Sequence, residues 1–333
     1  MSNRKFYMNK DTCQYNLTHG VPQGSILGPL LFIMYTHDMV DITHENKVIV
    51  YADDTTVLVQ GRNLTEAKQH SNDILTRFHH YFTLNKLSIN PSKTKYMIYR
   101  PSYRRHMYKK LLIDTTNTKI KMVDTILEQV NSIKFLGVII NDKLSWESHK
   151  KQVYNKVCKT LGLIYRCKEV MDENNLIGMY KTFIQPYFLY GIEVWGHSVQ
   201  SEHDLLMKLQ SKVIRIIFDC KRSEDAWKHN NSKISSIKEL YSNVINRLCF
   251  KHHAGLLPSY FCENIMPEFN IVQLQNKVTR ITLDQMYNYK NTLSSMNTKL
   301  KASCVKTWNV LSLDTKSLPY SSKNKVSFKK FKI

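Results

Sequence analysis

Acidic residues are scarce in this chain. Only 27 Asp and Glu stand against 48 Lys and Arg in 333 residues, a formal net charge of +21. So one-sided a balance suits a polyanionic partner, nucleic acid first and an anionic membrane surface second. Long apolar runs are also missing. No window approaches 18 uninterrupted apolar residues, so no membrane-spanning helix is expected. The opening MSNRKFYMNKDTCQYN has no apolar core of signal-peptide length. Cysteine is sparse and unordered. The seven (Cys13, Cys158, Cys167, Cys220, Cys249, Cys262, Cys304) are odd in number and form no C-x-x-C. They read as reduced thiols of an intracellular protein, nuclear or cytoplasmic. Cys249, His252, His253 and Cys262 match no common zinc-finger or knuckle spacing, and read as core or surface residues.

What the chain does have is size enough for a core and for two domains, and one unusual acidic stretch. In VIVYADDTTVLV, residues 48–59, Asp53 and Asp54 sit side by side in a strongly apolar run. Two short strands joined by a tight turn, with the acids at its tip, fit this pattern. Adjacent like charges on such a scaffold are unfavourable unless a cation sits against them.

Around this turn, residues 4–8 and 13–18 read as a small hairpin. From Ser25, the apolar residues Ile26, Leu27, Leu30, Leu31, Ile33 and Met34 predict a buried helix, with Ser25 as N-cap and Pro29 in its first turn. NLTEAKQHSNDILTRFHHYFTLN predicts an amphipathic helix opened by an Asn63–Glu66 capping box, with Ile74, Leu75, Phe78, Tyr81 and Phe82 on its apolar face. LSINPSKTKYMIY leads through a proline turn into a strand, and SIKFLGVIIND reads as one more strand segment. After LSWESHKKQV the apolar spacing turns helical, with Val153, Val157, Leu161 and Ile164 in step and further helices at about 174–190 and 202–218. A boundary is placed near residue 143. Residues 221–333 read as short helices and polar loops ending in the lysine-rich KNKVSFKKFKI, and no internal repeat is visible.

GVPQGSILGPLLF, YADDT, LNKLSINPSKTKYM and IKFLGVIINDKLSWESH stand in the order of successive reverse transcriptase motifs. The chain resembles the polymerase of a non-LTR (LINE-like, jockey-type) retrotransposon. LIGMYKTFIQPYFLYGIEVWG and LQSKVIRIIF resemble that group's thumb, and KTWNVL and FKKFK resemble its ending. The resemblance implies an α+β fold: a partial palm of split βαβ type over 1–143, a mostly helical thumb over 144–220 and a C-terminal extension over 221–333. It implies RNA-directed DNA polymerisation by two-metal nucleotidyl transfer, with Asp53 as the main Mg²⁺ ligand and Asp54 beside it. Hard carboxylate oxygens suit that ion. The implied partners are an RNA template, a DNA primer, their RNA–DNA hybrid and deoxynucleoside triphosphates, with no membrane partner.

Further roles follow from the resemblance. Gln23 would offer its amide to the nucleotide or template pair, and Gly24 would let backbone approach the nucleotide. Tyr51 and Ala52 would flank the primer terminus and the nucleotide sugar, though Tyr51 is equally a strand aromatic. Lys93 would protonate departing pyrophosphate. A plain surface lysine fits Lys93 as well, and Lys95 competes for the role. Trp146 and His149 would open the thumb, with packing as their first role and primer contact second.

The resemblance also implies a third carboxylate on an apolar strand upstream of Gly20. The sole acid there is Asp11, in the polar turn MNKDTC, a poor substitute. Fingers and an N-terminal endonuclease would lie upstream too. The expectation is therefore an N-terminally truncated polymerase, inactive as it stands, or alternatively a non-enzymatic nucleic-acid-binding relic of one.

Overall fold

A computed structural model describes residues 3–8, 11–16, 20–21, 24–43, 47–99, 119–122, 124–199, 204–221, 223–264, 300 and 303–304. The chain packs as two units, Met1–Asn131 and Ser132–Ile333. The α+β class expected from the sequence is the class observed. Among the described residues the strands pair two by two.

The first unit opens with the hairpin β1 (Asn3–Met8) and β2 (Asp11–Asn16), antiparallel with Met8 opposite Asp11. Helix α1 (Gly28–Tyr35) follows, then a 3₁₀ turn (His37–Ile42). β3 (Lys47–Tyr51) and β4 (Asp54–Leu58) form the predicted hairpin, with Tyr51 opposite Asp54. Its alternation places Val48, Val50 and Val57 against the long helix α2 (Leu64–Leu84), where Met39, Ile74 and Phe78 make a small core. Tyr81 ties the 3₁₀ turn to α2 by donating to Asp38 Oδ1 at 2.6 Å. Burial and the Asp38 carboxylate together raise the Tyr81 hydroxyl to about 12. The cap of α2 is close to the one expected. Asn63 Oδ1 accepts from Glu66 N (2.8 Å), while Glu66 Oε2 accepts from Arg62 N rather than from Asn63 (2.6 Å). Short pairs complete the unit: β5 (Lys95–Tyr96) runs parallel to β8 (Glu128–Gln129), and β6 (Lys121–Met122) antiparallel to β7 (Thr125–Ile126).

Two expectations are corrected here. α1 is not a buried helix: Ile26 is 96% exposed, and Leu27, Leu30, Leu31, Ile33 and Met34 are exposed with it. A helix apolar on every side must be enclosed to be buried, and the described residues of its unit do not enclose it. Ser25 stands three residues before Gly28 and accepts its N–H (3.1 Å), but the N-cap position itself is Leu27.

SIKFLGVIIND is likewise not one strand but a hairpin, β9 (Ser132–Phe135) and β10 (Val138–Asn141). The two turn residues, Leu136 and Gly137, both take positive φ, as the twist of a tight hairpin demands. Gly137 is also needed for space, because a Cβ there would lie 2.8 Å from Tyr190 Cε1. Tyr190 in turn donates its hydroxyl to Leu136 O (2.5 Å).

That hairpin packs with the second unit, upstream of the change in sequence character near residue 143. The second unit is helical: α3 (Glu147–Cys167), α4 (Glu173–Met179), a π-helical turn (Tyr180–Ile184), α5 (Gln185–Leu189), α6 (Ile192–Trp195), α7 (Leu205–Ile217), α8 (Ala226–His229), α9 (Ile237–His253) and α10 (Ser259–Asn264). One core joins Trp146, Val157, Ile164, Phe188, Trp195 and Ile214 to Ile234 and Ile237. Residues just beyond 220 therefore share the core of the helices before them. Asp204 caps α7 through Leu206 N (3.0 Å) and accepts a salt bridge from Lys150 of α3 (2.9 Å).

Trp146, at the αL position before α3, and His149 are buried as the packing role requires. Ile139 N–H donates to His149 Nδ1 (3.2 Å), fastening β10 to α3. Nδ1 is thus the unprotonated nitrogen, and taking up a proton would break that bond. Burial first, and the Lys156 charge second, hold the imidazole below its ordinary pKa. Above about pH 6.5 the ring is neutral in both folded and unfolded states, so its contribution is fully present. As the pH falls, the unfolded chain takes the proton first, and stability drops. The urea midpoint of the helical unit should therefore fall between pH 7 and pH 5, and His149→Leu should flatten that slope. An unchanged slope in the variant would assign the acid sensitivity elsewhere.

Candidate active site

The β3–β4 turn has two residues, Ala52 and Asp53. Ala52 adopts φ 52°, a region that non-glycine residues occupy at a cost of about 1 kcal/mol or more. The turn puts Asp53 at the tip of the hairpin and Asp54 at the first residue of β4. Tyr51, Ala52, Asp53 and Asp54 are all exposed. Asp54 and Tyr51 lie on the hairpin face turned away from α2, together with Ile49 and Leu58, which are also exposed.

Among the described residues, neither carboxylate has a side-chain partner. A pair of hard oxygen donors, side by side and in no ion pair with the described residues, fits a divalent cation of the Mg²⁺ class. Within those same residues, no third Asp, Glu, His or Cys joins them in a group able to hold an ion.

The remaining predicted residues are placed unevenly. Gln23 lies outside the described residues. Gly24 is exposed at φ +81°, and a Cβ there would meet nothing within 4 Å. What this position asks of glycine is its backbone conformation, with open space around it. Lys93 sits in a turn built by Asn90, whose Oδ1 accepts from Ser92 N (3.1 Å) and from Lys93 N (3.3 Å). Its ammonium has no ion-pair partner among the described residues, whereas Lys95 is taken by Glu128 at 2.8 Å. Asp11 begins β2 in the first hairpin.

An acidic two-residue hairpin turn backed by a helix, followed by a separate helical unit, is the arrangement the motif order implies. Residues 3–140 match the family model described as reverse transcriptase (RNA-dependent DNA polymerase). It is similar to the probable RNA-directed DNA polymerase from transposon X-element of Drosophila melanogaster, 27% identical over 252 residues, covering 73% of this chain and 26% of that protein. The probable RNA-directed DNA polymerase from transposon BS of the same organism is 27% identical over 281 residues, covering 80% of this chain and 29% of that protein. The RNA-directed DNA polymerase from mobile element jockey of Drosophila funebris is 26% identical over 228 residues, covering 64% and 24%. The chain thus spans under a third of the length of these three relatives. Matches over 252 and 281 residues are longer than the family-model segment, so the likeness extends into the helical unit.

Proposed function

We propose that this chain is the palm-and-thumb portion of an RNA-directed DNA polymerase, with the β3–β4 turn as its catalytic tip. The observation that carries this reading is the pair of exposed carboxylates of Asp53 and Asp54, without a side-chain partner among the described residues, on a strained turn within the segment that matches the reverse transcriptase family model. Asp53 and Asp54 would hold Mg²⁺, which when bound activates the attacking primer hydroxyl and neutralises the leaving pyrophosphate. Tyr51 and Ala52, next to the acids, would flank the primer terminus and the nucleotide sugar. Gly24 leaves room for backbone to approach the nucleotide, and Gln23 would supply an amide to it. Lys93, whose ammonium has no ion-pair partner among the described residues, would deliver a proton to the departing pyrophosphate. The substrates are a DNA primer on an RNA template and deoxynucleoside triphosphates.

Mg²⁺-dependent primer extension on an RNA template tests this. The chain is assayed alone and with the palm strand that the resemblance places upstream of Gly20. No extension in either form would reject the polymerase reading.

One observation favours a second reading, a nucleic-acid-binding module without catalysis: no third ligand joins the acidic pair among the described residues. Under both readings the +21 charge makes phosphate contacts the main source of affinity. Affinity for an RNA–DNA hybrid should fall about a thousandfold or more between 50 and 200 mM salt if six or more phosphates are neutralised. A fluorescence-anisotropy titration at several salt concentrations measures it. An affinity insensitive to salt would remove the support for both.

A further inference from the structure

The loop between α7 and α8 brings together three side chains that neither the acidic turn nor the helical core uses. Cys220 Sγ, a carboxylate oxygen of Glu224 and a ring nitrogen of His229 all lie within 4.8 Å of one another. Glu224 Oε2 and His229 Nε2 are 3.9 Å apart. A tetrahedral zinc ion spaces such donors roughly 3.3–3.6 Å apart, so small side-chain movements would seat one.

Two further contacts orient the donors. His229 Nδ1 faces the carbonyl of Asp225 at 3.3 Å. Donation from Nδ1 leaves the Nε2 lone pair directed toward Glu224, the arrangement that metal-binding histidines commonly adopt. Glu224 Oε2 accepts from Lys221 N at 3.2 Å, which fixes the carboxylate on the same loop. α8 itself is held in place. Asp225 caps it through Trp227 N (3.0 Å), and Trp227 Nε1 donates to Ser211 Oγ of α7 (2.9 Å). Cys220 is half-buried while His229 is exposed, so a fourth position stays open to water.

We propose that Cys220, Glu224 and His229 form a zinc site that clamps the end of α7 to α8. A thiolate and an imidazole select Zn²⁺ over Mg²⁺, which distinguishes this site chemically from the all-oxygen pair at Asp53 and Asp54. On binding, the Cys220 thiol gives its proton to solvent and the sulfur becomes a ligand, with no change of oxidation state.

Co²⁺ reports on the site directly, because a cobalt–thiolate bond gives a near-ultraviolet charge-transfer band and tetrahedral Co²⁺ a strong visible one. Titrating the metal-free 333-residue chain should develop both bands to one equivalent, and Zn²⁺ should bleach them. Cys220→Ser should abolish the near-ultraviolet band, His229→Gln should weaken binding at least tenfold, and Asp53→Asn should change neither. Tryptophan fluorescence verifies that each variant is folded. Absence of the bands in the folded wild-type chain, or their persistence in Cys220→Ser, would overturn the proposal.

Discussion

Primer extension by the chain supplied with the palm strand that the resemblance implies should fall at least a hundredfold on Asp53→Asn, and extension by the 333 residues alone should stay at background, since no third ligand joins the acidic pair among the described residues. The order of effect follows from geometry. Reacting atoms must meet at about 3–3.5 Å, and a displacement near 1 Å already costs about a hundredfold. Asn keeps the size of Asp but loses the charge that binds the cation, so the turn should persist while the attacking oxygen loses its activation. Asp54→Asn should be milder, since the resemblance gives Asp53 the main share. Hybrid binding should stay within about twofold in both variants, because neither acid contacts phosphate through a positive charge. Extension by the unaided chain, lost on Asp53→Asn, would show that another acid completes the set. Asp11 would be the first to replace.

The second large effect is on stability. Gln210 is fully buried in α7 with three hydrogen bonds. Its Nε2 donates to Tyr180 Oη (2.7 Å) and to Ser235 O (2.9 Å), and its Oε1 accepts from Ile237 N (3.0 Å). The last bond satisfies the first free N–H of α9, next to the Ser236–Glu239 capping box. Gln210→Leu fills similar space but strands a hydroxyl, a carbonyl and an N–H in the core. At about 1–3 kcal/mol for each unsatisfied group, partly relaxed, the helical unit should lose about 3–5 kcal/mol. Tyr180→Phe removes one partner and should cost about 1 kcal/mol. All four tryptophans lie at residue 146 or beyond, so their fluorescence follows the unfolding of this unit in urea without signal from the first. A loss under 1 kcal/mol for Gln210→Leu would mean that water replaces the side chain.

Gln210 also shows where sequence reading stops. It stands in step with Leu206, Val213 and Ile217 on the buried face of α7, so its position could be read from spacing alone. Its partners, from residues 180, 235 and 237, could not. The β3–β4 hairpin and α2 were legible because alternation and helical spacing act within a few residues. α1 was misjudged because apolar character states a need for cover without supplying the cover. The β9–β10 turn was missed because Leu136–Gly137 is not among the usual hairpin dipeptides, and the requirement for glycine comes from Tyr190, far along the chain. Among the site residues, the motif order pointed to Asp53 and Asp54, while the ion pair between Lys95 and Glu128 joins two residues 33 apart and could not be read from spacing. The Cys220–Glu224–His229 cluster escaped notice because a carboxylate interrupts the cysteine and histidine spacing by which zinc sites are usually found.

The exposure of the acidic pair bears on how this sequence would age. Among the described residues, the exposed side chains of Asp53 and Asp54 cap no helix and join no core, so the fold asks little of either carboxylate. Gln210, Trp195 and Phe188 are retained for as long as the chain must fold at all. If the proposed polymerisation is what retains the two acids, copies of the gene released from it should lose them sooner than the buried residues of the helical unit. In such a lineage the YADD turn acts as a clock, and its survival measures how recently the chemistry was in use.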